Sequence, residues 1–560
     1  MRRGVSVVNK NVSSFSILFA LLALLIGTCA VVFPASAQAV PTSNGSITVS
    51  GTVASSYDAY QIFSANVVDG DNDAKIATDL AWANDAARDA VLPVLHSAGM
   101  PNSQTTAQEA AEWLNADSHL TSALSAQLAR SLQSSGAVFV PLNAGTAAEL
   151  PCGYWLIVAD DGVIAQDEAG TAPIMALVGG SAVTVKPKAA TPKVAKHVLE
   201  DSAAAWQKAA DATVGDDLYW RLSATVPAGL AAYDTYAVQF VDTMSAGLDP
   251  SKVAASMRVY VAAGASGGFD AVVCEGGNVS STPAKGWTDI TSQCKVSVEG
   301  DAFTVRTGDL IAALGGADAF TSGARVVAVY NAPLNGACNH GIAKGNPNEV
   351  YLRYPRSPFA DQSGDAGFTR TPSDDACAYT WDLALTKRGS DGDKPLAGAV
   401  LSIADDRGRT LAVDGTWDAE GKATVTTGED GRVTISGVDS GKLMVRELKA
   451  PKGYTAFEGT RSVTVKAEGL DVDQVAAAKP KLTITAESPL RADSADGSTG
   501  SLEASLINTP TGTPPSITTG GFMPSTGDMA MYAAAAAAVA GAALIVVALL
   551  VKRGGGSHKE

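Results

Sequence analysis

Aromatic side chains make up only 6% of this 560-residue chain, histidine occurs five times, and 41 Lys and Arg stand against 57 Asp and Glu. Each shortage excludes something. A formal net charge of -16 repels the phosphates of nucleic acid, so no nucleic-acid partner is expected. Five scattered histidines, no nucleophile elbow and no carboxylate pair in a recognisable motif leave nothing to carry enzymatic turnover. No CxxC or His-rich spacing points to a metal, and no cofactor is called for. Cysteine is scarce too. Cys29 falls in an N-terminal apolar run, which leaves Cys152, Cys274, Cys294, Cys338 and Cys377. An odd number cannot all pair; Cys274 with Cys294 is the first candidate disulfide, and Cys338 with Cys377 a weaker one. Disulfides are therefore not expected to be the main staple, and a chain that bears load would need another covalent device.

What is present is a strand-rich composition of Thr, Ser, Ala, Gly and Val between two apolar ends flanked by basic residues. Arg2, Arg3 and Lys10 precede an apolar stretch from Phe15 to Phe33 and then the small residues of "PASAQAV". That order predicts a signal peptide over 1–39, cleaved near Gln38 or Val40. At the other end the apolar run Met529 to Val551 is long enough to cross a hydrocarbon layer of about 30 Å, with Lys552 and Arg553 left on the cytoplasmic side. Just ahead of it stands "MPSTG", Met523 to Gly527.

Between these ends the expected fold is mainly β, with tandem immunoglobulin-like β-sandwiches following an N-terminal α+β domain. Residues 40–187 mix strand patterns ("YDAYQIF", "CGYWLIVAD") with two runs of helical spacing, and end in the Pro-broken "KPKAATPK". Residues 188–365 show short alternating strands such as "LYWRLSATV" and "YAVQFVD", closed by the break "ADQSGDAG". Residues 376–510 are β again, punctuated by "DDRG", "EDG" and "PKGY" turns. A Pro/Gly/Thr linker, 511–522, leads to the terminal segment 523–560.

The three-part order of "MPSTG", apolar span and basic tail resembles the LPxTG sorting signal of Gram-positive surface proteins, with Met523 in place of Leu and followed by Pro524 and Ser525. The resemblance implies that a sortase cuts between Thr526 and Gly527 after transient membrane insertion, and passes the acyl group to an amine. Two stretches deepen it. "DLALTKRG", "VRELKAPKGY" and "SLINTP" resemble the Cna-B-type domain of shaft pilins; "PKVAKHV", "VPAGLAAYDTYAVQFVDTMSAGL" and "GNPNEVYLRYPRSP" resemble the fimbrial isopeptide-forming middle domain. The family roles of amine nucleophile, acid and amide acceptor then fall on Lys387, Glu447 and Asn508, and on Lys196, Asp242 and Asn348. "VTVKPK" resembles the pilin motif whose lysine attacks the neighbouring subunit, which points to Lys188, with Lys186 and Lys193 as alternatives.

Strand parity supports the six positions independently, since alternate residues share a face. Lys196 is in register with Val194 and Val198; Asp242 follows Val238 and Phe240; Asn348 leads Val350 and Leu352. Lys387 follows Leu383 and Leu385, Glu447 follows Leu443 and Val445, and Asn508 follows Ala504 and Leu506. All six polar groups are thus expected on apolar faces. Burial lowers an amine pKa and raises a carboxyl pKa, so a neutral amine can attack an amide carbonyl beside a neutral acid and release ammonia. The resemblance implies a major shaft subunit of a covalent cell-surface pilus, joined from Thr526 to the next identical subunit and attached to cell-wall peptidoglycan. The pilus sortase, companion minor or tip pilins and a host ligand complete the implied partners, in support of adhesion. The alternative is a monomeric, sortase-anchored adhesin.

Overall fold

The computed structural model describes residues 43–512, apart from 52–53, 72–73, 117–118, 165–166, 188–190, 229, 276–277 and 317–322. The expected signal peptide, Lys188, Met523 to Gly527 and the run Met529 to Val551 lie outside the described residues. Among the described residues no helix is long and apolar enough to cross a membrane. The chain is mainly β and divides into three successive domains.

The first domain is built on the long strand Ser56–Asp69, flanked by Lys75–Trp82 and Gly153–Ala159. A second, three-stranded sheet sets Asn44–Val49 between Ala147–Pro151 and Val183–Val185. Three helices cover the first sheet: Asp85–Ser97, Ala107–Asn115 and Ser122–Ser134. The second helical run expected from sequence divides in two because it contains two N-caps. Thr106 accepts from the Glu109 amide while Glu109 reaches back to the Thr106 amide, and Thr121 accepts from the Leu124 amide.

The middle domain is a sandwich. One sheet runs Ala205–Gln207, Lys193–Glu200, Tyr219–Val226, Ala324–Asn331, Arg258–Ala263 and Thr288–Asp289. The facing sheet runs Ala209–Asp211, Asp374–Tyr379, Asn346–Pro355, Gln239–Met244, Ala302–Arg306 and Lys295–Glu299. Their inner faces close on Trp220, Phe240, Phe303, Tyr330 and Tyr354. The third domain packs Arg432–Val438, Trp381–Gly389 and Ser501–Pro510 against a sheet containing Val400–Ala404, Gly441–Lys449 and Thr460–Glu468.

Three expectations change. The strand Asp374–Tyr379 pairs with Asn346–Pro355 and with Ala209–Asp211, so the boundary expected before 376 falls after Tyr379. The break "ADQSGDAG" is a loop folded onto the middle domain: Gln362 donates to the Thr235 carbonyl and accepts from the Ala237 amide. All five described cysteines are free, so the Cys274–Cys294 disulfide is not formed. A sheet separates those two thiols. Cys274 packs with Tyr260 and Val327 on its outer face, while Cys294 packs with the inner core that holds Val259 and Val261. Cys338 and Cys377 are likewise divided between the middle-domain core and the third-domain core.

Candidate functional site: two buried amine, acid and amide clusters

Lys196 leaves its strand towards the inside of the middle domain, as its parity with Val198 requires, and is fully buried. Asp242 and Asn348 come from the opposite sheet, on neighbouring antiparallel strands in which Asp242 faces Val350 and Met244 faces Asn348. Both are fully buried. The Lys196 ammonium meets Asp242 Oδ2 directly. Tyr330, from the Lys196 sheet, joins all three: its hydroxyl accepts from Lys196 Nζ at 3.0 Å and from Asn348 Nδ2 at 2.9 Å, and donates to Asp242 Oδ2 at 3.1 Å. Burial pulls the Lys196 amine down to about 8, against the opposing pull of Asp242, and pushes the Asp242 carboxyl up. The rings of Trp220 and Tyr330 stand 5.6 Å from Nζ and complete its apolar surround.

The third domain repeats the chemistry with a different layout. Lys387 and Asn508 lie on adjacent parallel strands of one sheet, where Lys387 is opposite Leu506 and Gly389 opposite Asn508. Glu447 reaches them from the facing sheet. Asn508 Nδ2 donates to both Glu447 oxygens, at 2.9 and 3.0 Å. Lys387 Nζ lies 3.9 Å from Glu447 Oε1 and donates to the Leu506 carbonyl at 3.0 Å. Lys387 is fully buried, and burial holds its amine at about 8.

Within the two clusters three buried acceptors are left without a hydrogen-bond partner: Asp242 Oδ1, Asn348 Oδ1 and Asn508 Oδ1. An unpaired buried oxygen costs about 1–3 kcal/mol, and here it belongs to the acceptor amide in both clusters. Among the described residues the first domain has no such cluster. Its Lys75 is largely buried, but Nζ is bound by Asp69 and by the Gly179 and Ser181 carbonyls, with no asparagine among these partners. In the third domain the amine and the amide lie on the first and last strands, Trp381–Gly389 and Ser501–Pro510; in the middle domain Asn348 lies on Asn346–Pro355, and Asp374–Tyr379 follows it. Tyr330 was not anticipated. The available signal was an inward tyrosine in the apolar run "RVVAVYN", a position that demands a partner for its hydroxyl.

Fold and clusters together define a protein of β-domains in series, two of which each bury an amine, an acid and an amide within reach of one another. Residues 382–479 match the SpaA prealbumin-like fold domain family. The trypsin-resistant surface T6 protein of Streptococcus pyogenes serotype M6 is 30% identical over 143 residues, which is 24% of this chain and 24% of that protein. This match spans about a quarter of the curated relative. Among solved structures, the T6 backbone pilin of serotype M6 S. pyogenes, described as a modular three-domain structure, aligns over 84% of this chain and 98% of that chain, at 16% identity and a TM-score of 0.44. The major pilin SpaD of Corynebacterium diphtheriae aligns over 85% and 100%, at 16% identity and a TM-score of 0.41. The resemblance thus reaches beyond the short motifs, to the matched domain over residues 382–479 and to the curated surface protein.

Proposed function

We propose that this chain is the major structural subunit of a covalently polymerised pilus on a Gram-positive cell surface. The observation that carries the reading is the pair of fully enclosed Lys, acid and Asn clusters in successive domains. In each, the neutral amine attacks the asparagine Cγ, a new C–N bond forms, the bond to Nδ2 breaks, and one proton passes from the amine to the departing ammonia. The acid moves that proton. The product is an uncharged amide where a buried ammonium would otherwise be held at a cost of several kcal/mol. The cross-links brace domains that transmit tension along a fibre.

Polymerisation follows from the two ends. A sortase acting at Thr526 and Gly527 of the "MPSTG" signal joins one subunit to Lys188 of the next, and the last subunit to peptidoglycan. Lys186 and Lys193, the alternative nucleophiles, are exposed. The test is an immunoblot of boiled, SDS-treated wall extracts from cells carrying the native chain or Lys188→Ala. A high-mass ladder that collapses to monomer in the variant is expected. A ladder that survives moves the linkage to Lys186 or Lys193, and a monomer in both strains leaves a wall-anchored adhesin.

A further inference from the structure

The two clusters differ in how acid and amide meet. In the third domain Glu447 takes both Asn508 Nδ2 hydrogen bonds itself. In the middle domain the acid is aspartate, one methylene shorter, and Asn348 Nδ2 donates instead to the Tyr330 hydroxyl at 2.9 Å. That hydroxyl donates onward to Asp242 Oδ2 at 3.1 Å. Tyr330 is fully buried, its ring is fixed edge-on against Phe303 at 4.7 Å, and its inward position is set by the strand Ala324–Asn331. Its neighbours within hydrogen-bond reach are the three reacting groups.

We infer that Tyr330 is a catalytic residue of the middle-domain cluster, a proton relay that carries the proton from Asp242 to the departing nitrogen of Asn348. The inference rests on the amide-forming reading above. The steps balance. Lys196 Nζ bonds to Asn348 Cγ and gives up one proton to Asp242. Attack makes Nδ2 tetrahedral and gives it a lone pair, so the two hydrogen bonds reverse: Asp242 Oδ2 returns the proton to the Tyr330 oxygen while the hydroxyl turns its own proton to Nδ2. The Cγ–Nδ2 bond breaks and ammonia leaves, with Tyr330 and Asp242 in their starting states. Burial and the adjacent Asp242 raise the Tyr330 pKa well above its ordinary value, so the hydroxyl begins each passage protonated. A relay is needed here because the short acid contacts the amine but leaves the amide to the hydroxyl. Glutamate spans the corresponding gap in the third domain without help.

The experiment is a time course of cross-linking in the newly synthesised full chain, starting from the unreacted polypeptide and read by intact mass and by mapping each cross-linked peptide, for native, Tyr330→Phe and Tyr330→Phe/Asp242→Glu proteins. Phenylalanine keeps the ring and removes only the relay. The expected result is a Lys196–Asn348 bond at least about tenfold slower in Tyr330→Phe, as loss of a general acid–base group implies. The Lys387–Asn508 bond in the same molecules should form at the native rate. In the double variant the longer acid should recover part of the lost rate. Equal rates for native and Tyr330→Phe would overturn the relay. If Tyr330→Phe does not fold its middle domain, the double variant decides: a folded domain that reacts supports the relay, and one that folds without reacting overturns it. A native chain that never loses ammonia at Lys196 refutes the amide-forming reading itself, a result distinct from any of these.

Discussion

At the residue scale, six of the seven groups in the two clusters were legible because polar side chains interrupt a period-2 apolar face only at a cost. Lys387 after Leu383 and Leu385, and Asn508 after Ala504 and Leu506, are such interruptions. Tyr330 was not legible in the same way, since a tyrosine continues an apolar face as readily as it ends one. Two predictions belong at this scale. Glu447→Gln keeps the side-chain shape but cannot take up the amine proton, so the Lys387–Asn508 bond should form about a hundredfold or more slowly. The intact mass would then be one ammonia heavier than that of the native chain. The second concerns pH. In Asn508→Ala the amine persists, and burial holds it at about 8 against an ordinary 10.5. Between those values the unfolded chain keeps a proton that the folded chain has released, so stability rises with pH across that window and is flat below it. The total rise is on the order of 3 kcal/mol. Calorimetric melts from pH 7 upwards should show the rise in the variant and not in a native chain whose amine is tied up in the proposed amide; an equal rise in both would speak against that amide.

At the scale of elements, the sequence periodicity placed the site-bearing strands, and the pairing decides what each proposed cross-link would do. Short apolar strands carry no record of which neighbour they will join, and the strand Asp374–Tyr379 shows it. Its sequence reads as the start of the third domain, but it pairs with Asn346–Pro355 of the middle one. The same limit applied to cysteine, since spacing in sequence does not reveal the sheet lying between Cys274 and Cys294. In the third domain the pairing is consequential. Ser501–Pro510 lies parallel to Trp381–Gly389, and the Lys387–Asn508 bond would lock the first strand to the last. A cross-link closing a loop of roughly a hundred residues stabilises by about 4–5 kcal/mol in the chain-entropy model. Asn508→Ala should therefore lose several kcal/mol at neutral pH. Amide hydrogen exchange should rise first along Ser501–Pro510, and native protection in that strand would show that its sheet partners suffice.

At the scale of the whole molecule, covalent locks within domains are useful under tension only if the joints between domains also hold. The joints are built from specific contacts. Ala126 of the first domain sits in the middle-domain core, and Arg130 beside it donates to the Ala232 carbonyl at 2.9 Å and pairs with Asp234 at 3.0 Å. At the other joint, Asp211 of the middle domain is 2% exposed. Its Oδ2 accepts from Trp381 Nε1 at 2.6 Å, from the Ser440 amide at 3.0 Å and from the Ser440 hydroxyl at 2.5 Å. One carboxylate thus holds the first strand of the third domain and the turn before Gly441–Lys449. Asp216 adds paired contacts to Arg409 at 2.5 and 2.7 Å. Hydrogen bonds to a charged acceptor contribute about 1.5–3 kcal/mol each, and a donor left buried without its partner carries a further penalty. Asp211→Ala should therefore weaken the joint by about 2–4 kcal/mol while leaving both amine, acid and amide clusters untouched. Intact mass should still show the native loss of ammonia, but calorimetry should resolve separate transitions for the middle and third domains, with faster proteolysis between Tyr379 and Trp381. A single transition at the native temperature, with native resistance to cleavage, would show that the sheet pairing of Ala209–Asp211 with Asp374–Tyr379 and the Asp216 pairs hold the joint without the Asp211 carboxylate.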